Sequence, residues 1–123
     1  MTQWTNDSLL ATNYSLLTTF PMLLYNVTIK ITKDAEAEWL EWMKTRHIPD
    51  VLSTGQFVAS RISRLLDQPD DDEDSTYVIQ YQCESLEKFN YYIDVYATAL
   101  REEFNQRYKD KFVSFRTLME VVG

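Results

Sequence analysis

The chain has one histidine, His47, so proton transfer near neutral pH would pass through it or through a carboxyl group of shifted pKa. His47 shares a helical stripe with Trp39, Leu40 and Met43, and Pro49 follows two residues later. Such a histidine has two uses. It can face a pocket between helix and sheet, where it contacts a ligand or moves a proton. It can instead end the helix, bonding to free carbonyls where the negative end of the dipole favours the imidazolium. Asp50 can satisfy amides of the turn after Pro49, or orient His47. Trp39, Trp42, Tyr25 and Tyr81 can line an aromatic pocket or simply fill a core. Arg116 can bind a carboxylate ligand, or pair with Glu120 or an acid of a partner chain. The candidate ligand-binding residues are therefore His47, Asp50, Trp39, Tyr81 and Arg116. No residue is assigned a catalytic role; His47 is the one candidate.

Other chemistries are poorly supplied. Haem ligation by His47 would need a second clue that the chain lacks. Asp70, Asp72 and Asp74 have the spacing of a calcium loop's start, but Ser75 and Tyr81 stand where that loop needs glycine and glutamate. The two glycines, Gly55 and Gly123, cannot build a phosphate-cradling loop. Cys83 has no lysine or histidine beside it in sequence and reads as a small buried apolar side chain. No metal and no cofactor is expected. A single cysteine excludes an internal disulfide and fits a reducing, cytoplasmic compartment.

At 123 residues the chain is the size of one domain, and 45% hydrophobic with 25% charged residues is ordinary for a globular protein. The net charge is −7, of which six negative charges fall in residues 67–74, so the rest of the chain is nearly neutral. Neither part offers the basic surface that nucleic acid requires. No apolar run approaches the ~18 residues that span a bilayer.

The elements that must position these residues follow from periodicity. Residues 1–21 carry one charge, Asp7, and little periodicity, and lack the basic start of a signal peptide. They read as a mobile extension or an upstream start, with Met22 as the functional one. A first strand over 23–31 alternates cleanly, with Leu23, Tyr25, Val27, Ile29 and Ile31 on one face. Asp34 can cap a helix over 35–47, which Pro49 ends; a second short turn over 49–53 is closed by Gly55. A second strand over 56–66 does not keep one parity, which a bulge near Arg61–Arg64 would reconcile; its arginines suit an edge. The acidic segment 67–75 is a hairpin loop, and 76–83 is a third strand with Tyr77, Ile79, Tyr81 and Cys83 on one face.

Ser85 caps a second helix whose stripe is Leu86, Phe89, Ile93, Tyr96, Leu100 and Phe104. A last strand over 112–122 puts Val113, Phe115, Thr117, Met119 and Val121 on one face, read as the buried one. Ser114, Arg116, Leu118 and Glu120 take the other. The order strand, helix, strand, strand, helix, strand is the ferredoxin-like α+β pattern, a two-layer sandwich with antiparallel sheet order 4-1-3-2. The sheet face away from the helices would carry Leu24, Asn26, Thr28, Val78, Gln80, Gln82, Ser114, Arg116 and Leu118. It is half apolar and suits a sheet-to-sheet homodimer.

Three stretches, Trp42 to Phe57, Tyr77 to Tyr81 and Phe115 to Val121, together with the opening Leu24 to Thr28, resemble a bacterial family classed as a domain of unknown function. The resemblance covers about residues 22–122. The layout is also similar to the dimeric α+β barrel superfamily, which includes cofactor-independent monooxygenases, haem-degrading monooxygenases and muconolactone-isomerase-like enzymes. In several of its branches a histidine late in the first helix precedes a proline, as in His47-Ile48-Pro49. The resemblance implies a dimeric barrel protein, binding a small molecule near His47. Two alternatives stay open: a cofactor-independent monooxygenase or isomerase, and a non-catalytic interaction module using the acidic loop.

A chain starting at Met22 is expected to melt within a few degrees of the full-length protein. A domain of this size shifts roughly 4–8 °C per kcal/mol, so a calorimetric loss beyond that would assign residues 1–21 to the core.

Overall fold

β1 (Leu23–Thr32) is the central strand, because both of its neighbours pair with it along almost its whole length. The computed structural model describes residues 22–67 and 73–123. The extension 1–21 and the acidic stretch 68–72 lie outside the described residues. β3 (Asp74–Cys83) pairs antiparallel with β1 from Leu23↔Cys83 to Thr32↔Asp74. β4 (Phe112–Glu120) pairs on its other side, from Leu23↔Glu120 to Ile31↔Phe112. β2 (Ala59–Arg64) adds to β3, giving the order 2-3-1-4, the expected order read from the other edge.

Two helices cover one face. α1 spans residues 33–53 and α2 residues 86–107. Each is an α-helix interrupted by one π turn, Met43–His47 in α1 and Ile93–Ala97 in α2. Ser85 caps α2 by accepting from the Lys88 amide at 3.1 Å, as its sequence position implies. The core forms where the helix stripes meet the inner sheet face. Ile29, Ile31, Ile79 and Cys83 from the sheet pack with Trp39, Met43 and Val51 from α1. Polar clamps close its rim. The hydroxyls of Tyr77 and Ser75 donate to Glu36 at 2.6 and 2.9 Å. Arg107 donates to Glu38 at 2.7 Å and lies over the Trp42 ring.

Four sequence expectations need correction. First, Pro49 does not end α1. The π turn finishes at His47, so Pro49 falls in the first turn of the next α segment (Ile48–Ser53), where a missing amide costs little. Second, Asp34 does not cap α1. Thr32 precedes that helix without a side-chain cap bond, and Asp34 instead accepts from Thr32 and from Lys111 at 2.7 Å. It thereby ties the start of α1 to the turn before β4.

Third, β2 is shorter than expected, and its offset is not at Arg61–Arg64, where the register against β3 is continuous. Val58 donates to the carbonyl of Gln82, the residue that Ala59 faces, so two residues oppose one at that point. That slip lets both Phe57 and Ile62 turn inward. Fourth, β4 shows its faces the other way round. Tyr25 pairs with Leu118 and Val27 with Arg116, and antiparallel partners share a side of the sheet. Arg116 and Ser114 therefore face the helices. Val113, Phe115, Thr117, Met119 and Val121 lie on the open face, with Val113 and Phe115 65% and 62% exposed. That face is more apolar than the sequence alone implies.

Gly55 closes α1 at φ 82°, donating to the Leu52 carbonyl at 3.1 Å. A Cβ there would touch nothing within 4 Å, so an alanine meets only backbone strain. Gly55→Ala is expected to cost about 1 kcal/mol and lower the melting temperature by roughly 4–8 °C, measurable by calorimetry.

Candidate ligand pocket

The π turn in α1 sets His47 beside Trp42. In an α-helix, residues five apart point about 140° away from each other. In α1 the Ile48 amide reaches back to the Met43 carbonyl, five residues away, and the wider turn brings Trp42 and His47 onto one side. Their rings stack at 5.1 Å with 28° between planes. Phe104 of α2 sets its edge against both, 5.7 Å from Trp42 and 5.3 Å from His47. The imidazole is only 9% exposed, and its Nδ1 is buried without a hydrogen-bond partner. Burial lowers its pKa to about 4, against an opposing pull from the charge of Asp50. His47 is thus a neutral imidazole at physiological pH. It is not a helix-end imidazolium, because α1 continues past it to Ser53.

A cavity opens beside His47, between the inner sheet face and the two helices. It holds about 480 Å³ between atoms when its mouth is counted, of which about 40 Å³ is open to the centre of a water molecule. At the ~10–15 Å³ that one water needs, the free interior admits a few waters or a small part of a ligand. Met43, His47 and Val51 supply the α1 wall. Tyr25, Ile79 and Tyr81 form the sheet floor. Tyr92, Leu100, Arg101, Phe104 and Asn105 come from α2, and Ser114 and Arg116 from β4.

The polar groups here have defined states. Arg101 donates to the Tyr25 hydroxyl at 2.9 Å. Burial pushes the Tyr81 phenol well above its ordinary pKa. Burial and the neighbouring Tyr25 push Tyr92 to about 12, while the charges of Arg101 and Arg116 pull it the other way. Tyr81 and Tyr92 therefore keep their protons at neutral pH and can donate. The pocket offers phenol donors, one neutral imidazole and two guanidinium groups around an aromatic floor. Among the described residues, no three His, Cys, Asp or Glu side chains gather to hold a metal ion.

Of the five sequence candidates, His47, Tyr81 and Arg116 line this cavity. Two do not. Asp50 pairs with Arg46 at 3.2 Å, and Arg46 also reaches Glu103 at 2.9 Å, so this trio links α1 to α2 outside the pocket. Trp39 is fully buried in the core, its ring centroid 5.0 Å from that of Tyr77. Sequence reasoning missed Tyr92, Arg101, Asn105 and Ser114. A uniform α2 stripe leaves Tyr92 and Arg101 off its line, and the π turn Ile93–Ala97 brings them in. The repeat Leu100-Arg101 and Phe104-Asn105, four residues apart, was the available signal.

A family model described as a domain of unknown function, DUF4286, matches residues 22–122. Among curated proteins none matches the chain in sequence. Solved structures share its fold. An EthD-like protein from Ralstonia eutropha superposes with a TM-score of 0.63 at 16% identity, covering 85% of this chain and 95% of its own. A dimeric ferredoxin-like protein from an uncultured marine organism gives 0.59 at 16% identity, with coverages of 84% and 97%. SnoaB, a cofactor-independent oxygenase from Streptomyces nogalater, gives 0.55 at 18% identity, with 82% and 94% covered. At such identities the likeness speaks for the fold alone.

The buried imidazole makes stability depend on pH with a definite sign. The unfolded chain binds a proton near pH 6.5 and the folded chain near 4, so stability is full above 6.5 and falls as pH drops towards 4. At 1.36 kcal/mol per pH unit the loss approaches about 3 kcal/mol. His47→Gln should flatten this slope in denaturant titrations at pH 7, 5.5 and 4. An equal slope in both proteins would place the depressed pKa elsewhere.

Proposed function

Because the chain belongs to the DUF4286 family of unknown function, we propose, from its pocket, that it is a homodimeric small-molecule-binding protein. The ligand would occupy the cavity beside His47. One observation carries this reading. Polar groups from four elements converge on a cavity otherwise lined mostly by apolar side chains: His47, Tyr81, Tyr92, Arg101, Ser114 and Arg116. A space that only needed filling would be apolar, since buried polar groups cost free energy without partners. A mostly apolar cavity with a few convergent polar groups is the usual form of a ligand site. The same lining favours a ligand over a pure interaction module.

The open sheet face supports the homodimer. Val113, Phe115 and Met119 form an exposed apolar band beside Leu24 and Val78. A two-fold axis would set this band against its own copy. A structural neighbour is itself described as dimeric and ferredoxin-like. No helix among the described residues is long and apolar enough to cross a membrane. The single buried thiol, Cys83, fits a reducing, cytoplasmic setting, and residues 1–21 fit an extension outside the folded unit.

A second reading, a cofactor-independent monooxygenase or isomerase, is favoured by the unprotonated His47 in contact with the cavity. Its strength as a base argues against it. A general base works best with a pKa near the working pH, and His47 lies well below. Hydrogen bonding to a ligand asks only that the imidazole stay neutral.

Native mass spectrometry of protein isolated from its own host tests the proposal. Twice the monomer mass plus the mass of a retained small molecule is expected. Phe115→Asp, placed at the open face, should give a folded monomer. A ligand-free monomer at micromolar concentration in the unmutated protein would refute both parts.

A further inference from the structure

Arg101 and Arg116 line the same pocket, one from α2 and one from β4. Both act on a single phenol, Tyr92, favouring its ionised form, so their charges lie within reach of one spot. Among the described residues, neither pairs with a carboxylate. Arg101 donates to the neutral hydroxyl of Tyr25. Glu103, two residues further along α2, is engaged by Arg46. In a chain with 19 acidic and 12 basic side chains, carboxylates are in surplus. No Asp or Glu lines the pocket beside these two guanidinium groups. Arg46, Arg107, Lys88 and Lys111 each pair with a carboxylate.

The rest of the pocket suits an aromatic ligand, because the rings of Tyr25, Tyr81 and Phe104 line it and planar rings pack well against such faces. Arg116 is exposed and Arg101 half-buried, so the positive charge sits towards solvent while the apolar end lies inward. Guanidinium groups present planar donor forks that match a carboxylate. We propose that the pocket binds a small planar aromatic acid, its ring beside His47 and Phe104 and its carboxylate between Arg101 and Arg116. This rests on the ligand-pocket reading above and adds the charge and shape of the ligand.

The test uses benzoate and its neutral counterpart benzamide, titrated into the full-length protein and followed by NMR of the Trp42 and His47 side chains. Benzoate is expected to bind at least tenfold more tightly than benzamide, roughly the factor for one charge-assisted hydrogen bond. Arg116→Gln should bring benzoate to the benzamide level and leave benzamide unchanged. The side chain is exposed and makes no hydrogen bond among the described residues, so folding is not at stake. Equal affinities in the unmutated protein, or a benzoate affinity indifferent to Arg116→Gln, would overturn the acid and leave the pocket reading standing. Binding of neither compound at millimolar concentration would overturn both.

Discussion

β1 is hydrogen-bonded on both edges, and the side chains of paired strands must share a face, so its register decides what every other strand presents. Tyr25 is the pivotal residue. Opposite it stand Tyr81 on β3 and Leu118 on β4, which makes Tyr81 part of the pocket floor and turns Arg116 inward beside it. A slip of one residue in the β4 pairing would send Arg116 and Ser114 to the open face. It would put Phe115 in the core instead. Phe112 resists that slip by packing its ring against Phe104 at 4.6 Å.

The helices are set by a second constraint, the π turn in each. In α1 the extra residue in the turn does two things at once. It removes the conflict between Pro49 and a regular helix, and it brings Trp42 and His47 onto one face. In α2 the π turn shifts the inward line so that Tyr92 and Arg101 share the pocket with Phe104. Such turns occur often at functional sites, because they re-aim side chains without ending the helix. The pocket is thus the place where two widened helices fail to close fully on the sheet.

Charge is sorted between the rim and the pocket. Outside, Glu36, Glu38 and Asp34 anchor α1 to β3, to the end of α2 and to the turn before β4. These contacts are partly exposed, and their worth is modest in water. Their main effect is to hold α1 in place above the sheet. Inside, the imidazole is kept neutral by burial, and the phenols of Tyr81 and Tyr92 keep their protons. The pocket therefore combines neutral donors and acceptors within and cationic groups towards its mouth.

Much of the fold is legible along the chain. The alternation in β1 and β3, the Ser85 cap, the left-handed Gly55 and the edge position of β2 all follow from nearest-neighbour rules. So does the selection of His47 and Tyr81, since an inward stripe and a strand parity are local properties. The face of β4 is not local. Val113 and Phe115 make its outer parity look like the core one, and only pairing with β1, distant in sequence, reverses that. The π turns are likewise invisible to a periodicity that assumes one helix pitch, which is why a uniform stripe omits Tyr92 and Arg101. Arg116 was chosen for its chemistry but assigned to the wrong side of the sheet. Local pattern carries the kinds of element, their order and the single imidazole. Tertiary pairing alone decided which faces met, because burial depends on partners and not on pattern.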